Sequence, residues 1–203
     1  MTEAPRSVDY FFATMSPWTY LGHARFVRIA REAGATVRVR PMDLGQVFPV
    51  SGGLPLPQRA RQRQAYRLVE LRRFADWLQL PLNLQPAFFP VKGDASAQLI
   101  VAVDQHDGSD AALALTGAVL AACWAQDRDI ADPTTLADLL KACGLPAERL
   151  AQSHTPDVAA ACQAHTQAAI DGGVFGAPSY VLDGEIFWGQ DRLDFLQHQL
   201  GAK

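Results

Sequence analysis

An apolar run, Tyr10-Phe11-Phe12-Ala13, leads almost at once into Ser16-Pro17-Trp18-Thr19 and then into a helical stretch from Tyr20 to Ala33. A strand that passes directly into a helix delivers the junction residue to the helix N-terminus. Unpaired N–H groups and the positive end of the helix dipole favour an anion there. Ser16 is suited to cap this helix, and Pro17 to sit in the first turn, where a missing N–H costs nothing. The junction therefore places a hydroxyl in the positive field of a helix end.

The other end of the chain carries a matching pattern. Gly173-Val174-Phe175-Gly176-Ala177-Pro178-Ser179-Tyr180-Val181-Leu182 reads as a strand led by proline, which is tolerated at a first strand position. Asp183-Gly184 between this run and Glu185-Ile186-Phe187-Trp188 is a strong hairpin signal. Gly189-Gln190-Asp191 then opens a short helix with Leu193, Leu196 and Leu200 at helical spacing. Strand, helix, strand at the start and hairpin, helix at the end is the thioredoxin arrangement, here divided by a long insertion. Ser16 and Thr19 stand where a thioredoxin-type C-x-x-C would carry its cysteines. The expected fold class is α/β, a thioredoxin-like fold with a large all-helical insertion. Residues 1–48 and 173–203 are expected to form the discontinuous thioredoxin-like domain and 49–172 the helical insertion.

The intervening segment is helical in pattern. From Pro57 to Leu80, Leu68, Leu71, Ala75 and Leu78 make one apolar stripe. Arg59, Arg61, Arg63, Arg67, Arg72 and Arg73, interleaved with Glu70 and Asp76, are read as a solvated face. Further helices are expected over Ala95 to His106, Ala111 to Gln126, Asp132-Pro133 to Cys143 with Gly144 as a stop, and Pro156 to Asp171. The Gly- and Pro-rich stretch Val50 to Pro57 marks the insertion boundary and is placed to wall or cover a site.

Several function classes fall away. The net charge of −3 gives no electrostatic case for nucleic acid or an anionic membrane. Met1 to Ser7 lack the apolar core of a signal peptide, and Ala111 to Ala125 is too short to span a bilayer, so the chain is expected to be cytoplasmic. Five scattered histidines lack zinc-ligand spacing, and no metal site is expected. Three cysteines, Cys123, Cys143 and Cys162, fall in helical segments with no C-x-x-C spacing and are read as reduced, packed thiols. With no cysteine at the motif, thiol–disulfide exchange lacks its nucleophile. A serine without an adjacent base is a poor nucleophile, so Ser16 is suited to donate a hydrogen bond to a thiol supplied from outside.

Tyr10-Phe11-Phe12 through Ser16-Pro17-Trp18-Thr19-Tyr20-Leu21-Gly22, Arg40-Pro41 with Leu44-Gly45-Gln46-Val47-Phe48, Gly173 through Pro178, and Phe187 through Leu193 resemble the 2-hydroxychromene-2-carboxylate isomerase family. That family is related to kappa-class glutathione transferases and more distantly to periplasmic disulfide oxidoreductases. The resemblance implies bound glutathione, a catalytic Ser16, and cofactor contacts from Ser16, Ala177, Pro178, Gln190 and Asp191. It implies that Ala177-Pro178 is cis, with the Ala177 peptide pairing with glutathione and Asp191 taking the γ-glutamyl ammonium. Trp18, Phe89 and Lys92 are implied on the side of an aromatic or unsaturated keto-acid substrate, and a homodimer is implied. Reversible addition of the glutathione thiolate would allow the double bond of the ring-opened substrate to change geometry. Where the family carries an asparagine in its Gly-rich loop, this chain reads Ser51-Gly52-Gly53-Leu54. A kappa-like transferase and a non-catalytic thioredoxin-like binding module are the alternative readings.

Overall fold

The computed structural model describes residues 6–201, so most of the Met1 to Ser7 segment lies outside the described residues. Strand β1 (Ser7–Phe12) pairs in parallel with β2 (Thr36–Pro41) and antiparallel with β3 (Ser179–Leu182), which pairs with β4 (Glu185–Trp188), in the order β2-β1-β3-β4. Helix α1 (Pro17–Glu32) makes the crossover between β1 and β2. The hairpin expected at Asp183-Gly184 is present, with φ of 52° and 83° at the two turn residues, a combination that asparagine, aspartate and glycine tolerate best.

The middle of the chain forms α2 (Leu44–Ser51), α3 (Arg61–Leu78), α4 (Asp94–Asp107), α5 (Ser109–Trp124), α6 (Pro133–Ala142), α7 (Glu148–Gln152) and α8 (Pro156–Asp171), and the chain closes with α9 (Leu193–Leu200). Leu193, Leu196 and Leu200 are buried as their spacing requires. Helix α2 escapes a reading by periodicity because Pro49 lies inside it. It is held by Asp43, whose carboxylate accepts from the Gly45 N–H at 2.7 Å, and it ends on Gly52 at φ 75°. The stretch read as one helix from Pro57 is a short 3₁₀ turn at Leu56–Gln58, then extended backbone at Arg59, then α3.

Alternation along β1 sorts the core. Val8, Tyr10 and Phe12 face a large cluster with Phe26, Ile29, Leu99, Leu115, Val119 and Trp124, whereas Phe11 faces a smaller one with Met42, Val47, Ala169 and Val174. At the centre Tyr10 and Tyr180, register partners across β1 and β3, stack at 5.4 Å and 8°, and Phe26 of α1 lies 4.5 Å from one ring and 4.6 Å from the other. The large cluster joins sheet, α1, α4 and α5 in one continuous core.

A polar chain crosses this core. The Nε2 of His23 lies 3.0 Å from the Leu113 carbonyl, which can only accept, so Nε2 carries the proton and Nδ1 accepts from the Tyr10 hydroxyl at 3.2 Å. Burial pushes the His23 pKa down to about 4, against a smaller opposing effect of the bond to Leu113. An unfolded chain protonates this imidazole near pH 6.5, so at intermediate pH the unfolded state binds the proton and the folded state does not. Stability is therefore fully present above the unfolded value and falls with acidification towards the folded one. We expect a loss on the order of 2 kcal/mol between pH 7 and 5 from this residue. Urea unfolding at the two pH values measures it, with His23→Gln as the control that loses this share of the dependence while the share of His165, which burial also lowers to about 4, remains. A stability that stays level in the wild type would contradict a buried neutral imidazole.

Candidate active site

Ser16 caps α1 as its position in the sequence requires. Its Oγ accepts from the Thr19 N–H at 3.2 Å, its own N–H reaches the Ala13 carbonyl at 3.0 Å, and Pro17 fills the first turn. Ser16 as a whole is 7% exposed. Because Oγ accepts inside the cap, the hydroxyl proton remains available to a group beyond the helix end. No acidic residue lies in the first turn of α1, so its dipole is not offset there by a carboxylate.

Sheet register brings the C-terminal candidates to the same end of the central strands. Phe11 pairs with Ser179, and continuing that antiparallel register sets Pro178 opposite Phe12 and Ala177 opposite Ala13. The Ala177–Pro178 peptide is cis, as expected. Ala177 precedes the ladder, and among the described residues its N–H and C=O make no backbone hydrogen bond. The Gly189 N–H donates to the Pro178 carbonyl at 2.9 Å, which ties the Gly189-Gln190-Asp191 turn to the same place. Asp191 is half-exposed and pairs with Arg192 at 2.8 Å. Gln190 is buried against α1, and its Oε1 accepts from Arg25 at 3.3 Å.

Gly22 makes that approach possible. A Cβ there would stand 2.8 Å from the Gln190 Cβ and 2.9 Å from the Tyr180 hydroxyl. Around this contact, Thr19 Oγ1, Tyr180 OH and Gln190 Nε2 are buried without a hydrogen-bond partner. Sequence reasoning passed over Gly22 and Tyr180. The available signal was a glycine inside an otherwise continuous helix, which marks a close backbone approach.

The other flank is the loop that bears Phe89 and Lys92. Thr14, two residues before Ser16 and 2% exposed, donates to the Gly93 carbonyl at 3.3 Å and accepts from Ser96 Oγ at 2.8 Å. Phe89 packs its half-buried ring on Trp124 at 4.8 Å, whereas Lys92 is exposed. Trp18 lies edge-on to Phe74 at 5.9 Å and half-buried, on the α3 side. The structure thus groups Ser16, Ala177, Pro178, Gln190 and Asp191 at one end of the two central strands and brings the loop of Phe89 and Lys92 to it through Thr14. The arginines read as one solvated face divide. Arg73 pairs with Glu70 at the surface, but Arg59 and Arg67 are half-buried and lie over aromatic rings.

None of the cysteines belongs to this site. Burial pushes the Cys123 thiol up to about 12 and the Cys162 thiol up to about 11, with nearby carboxylates adding to both, and burial also raises Cys143. At neutral pH all three remain thiols.

A sheet in this order, with a helix cap beside a proline-led strand, is the framework of the DsbA-like thioredoxin domain, and the model of that domain matches residues 7–201. The chain belongs to that family. Within it, 2-hydroxychromene-2-carboxylate isomerase of Pseudomonas putida is 30% identical over 96% of this chain and 94% of its own length, which places the chain in the isomerase family as well. Human glutathione S-transferase kappa 1 is 26% identical over 100% of this chain and 94% of its own. The solved structure of a 2-hydroxychromene-2-carboxylate isomerase superposes with a TM-score of 0.80 at 27% identity, covering 96% of this chain and 94% of that one.

Filling Gly22 tests how closely these parts are fitted. Gly22→Ala is expected to cost about 1–3 kcal/mol by forcing α1 away from Gln190, against the stabilising effect of alanine elsewhere in a helix. Thermal unfolding measures it, and a variant as stable as the parent would show that the helix and the Gln190 turn are not in firm contact.

Proposed function

We propose that this chain is a glutathione-dependent isomerase that converts 2-hydroxychromene-2-carboxylate to trans-o-hydroxybenzylidenepyruvate. The observation that carries the reading is a buried hydroxyl, Ser16, at the N-terminus of α1, with its proton free to donate and no thiol of the chain beside it. The isomerase and kappa-class relatives support a glutathione-using enzyme.

The residues present suit glutathione. The unpaired N–H and C=O of Ala177 are disposed to take a peptide in the manner of an added strand. Asp191 offers a half-exposed carboxylate to an ammonium, for which its neighbour Arg192 is an alternative partner. Ser16 donates its hydroxyl hydrogen to sulfur, and the helix end adds a positive field, both favouring the thiolate over the thiol. When bound, glutathione supplies the thiolate whose reversible addition to a conjugated carbon frees rotation about a double bond. Pro178 and the Gly189-Gln190-Asp191 turn orient the peptide, and the loop of Phe89 and Lys92 flanks the acceptor.

The kappa-class relative favours a second reading, conjugation of glutathione to an electrophile with release of the product. A progress curve at substoichiometric glutathione separates the two. An isomerase completes many turnovers with the glutathione intact, whereas a transferase stops when it is consumed.

Ser16→Ala is expected to fold, to lose roughly 0.5–2 kcal/mol of stability with the cap, and to lose on the order of a hundredfold in kcat/KM with the thiolate-stabilising donor. Parent turnover in this variant would reduce Ser16 to a cap. For Asp191→Asn, titration calorimetry should register about a tenfold weaker glutathione complex, equivalent to about 1.4 kcal/mol. Unchanged affinity would leave Asp191 to its pairing with Arg192.

A further inference from the structure

Three guanidiniums gather on the flank of the site without a counter-charge. Arg63 and Arg67 share one face of α3 a turn apart, and Arg59 lies two residues before that helix begins. Among the described residues none of the three forms an ion pair, although ten other ion pairs are present. Arg59 spends its Nε on the Leu54 carbonyl and lies 5.9 Å from the Phe48 ring. Arg67 caps an aromatic pair, with its central carbon 5.4 Å from the Phe89 ring and 5.8 Å from the Trp124 ring. Burial, aided by the charge of Arg59, lowers the Arg67 pKa to about 10, so the group is held at a cost and is still cationic at neutral pH. The indole Nε1 of Trp124, whose side chain is 0% exposed, has no hydrogen-bond partner. The cluster therefore offers several donors and no carboxylate.

Topology ties this cluster to the loop that Thr14 joins to the Ser16 end of β1. Gly108 alone joins α4 to α5, so α5 turns back along α4, and Trp124 at its end returns towards the start of α4, where Ser96 and Gly93 meet Thr14. The same loop carries Phe89. Among the described residues the Arg67 side chain makes no hydrogen bond, so the guanidinium held over these rings keeps its N–H donors for the two oxygens of a carboxylate.

We propose that Arg67, assisted by Arg63 and Arg59, seats the carboxylate of a flat conjugated acid, with Phe89 beside the π system of that acid. The proposal rests on the reading of the Ser16 site as one that acts on an unsaturated acid, and it adds the residues that select the acid. It assigns the seat to the acceptor and not to a carboxylate of glutathione.

Titration calorimetry with trans-cinnamate and its neutral counterpart trans-cinnamamide, in the absence of glutathione, tests the seat apart from catalysis. The wild type should bind cinnamate at least about tenfold more tightly than the amide. Arg67→Gln should remove that preference while amide binding stays within about twofold. Arg63→Gln, at an exposed position that cannot unsettle the core, should reduce cinnamate binding by about twofold to fivefold, the range of a single partly screened charge. Equal binding of acid and amide by the wild type would overturn the proposal. So would cinnamate binding that neither variant changes, or an Arg67→Gln variant that loses affinity for glutathione in place of cinnamate. Since these measurements need neither glutathione turnover nor an isomerase assay, an intact acid preference in a chain that fails to isomerise would remove the reaction and leave the seat standing.

Discussion

The stack of Tyr10, Tyr180 and Phe26 is the contact on which the site depends. Two of its rings come from adjacent strands and the third from α1, all at 0% exposure, so one aromatic cluster fixes both the β1–β3 register and the seating of the helix. A slip of that register by one residue would turn Tyr180 to the opposite face and carry Pro178 away from Phe12. The position of Ser16 relative to Ala177 follows from packing that lies a few residues beneath it.

Much of this frame could be read before the structure. The Asp183-Gly184 turn, the leucine spacing of α9, the capping pair Ser16-Pro17 and the span of α8 are local matters, decided by residues within a few positions of one another. The features that escaped depend on partners distant in the chain or on pieces too short to show a period. Helix α2 contains Pro49, and α7 has only five residues. Arg67 shows the limit best. On a helix rich in arginine and carrying Glu70, it reads as solvent-facing, and only the return of Phe89 and Trp124 across the fold covers it. Thr14 likewise gives no signal in sequence, because its role is a contact with Gly93 and Ser96.

The polar atoms buried around Gly22 belong to the same balance. Thr19 Oγ1, Tyr180 OH and Gln190 Nε2 are desolvated and unpaired, and groups of this kind each cost about 1–3 kcal/mol. Their cost is offset by the aromatic packing next to them. The region next to the helix cap, like the Tyr10–His23 chain, is therefore polar within a largely apolar core, a condition in which hydrogen-bonding atoms act with little screening by water.

The contact of Thr14 with Gly93 and Ser96 has a consequence for how such a chain can diversify. The capped helix and the proline-led strand come from the two ends of the sequence, while the flanking loop comes from its interior and touches the first strand's end through one hydroxyl. Substitutions in the loop or on α3 can reshape what lies beside the helix cap, and Ser16 and the proline-led strand are left as they were. A single scaffold can in this way keep one part constant while another drifts, with Thr14 as the joint between them.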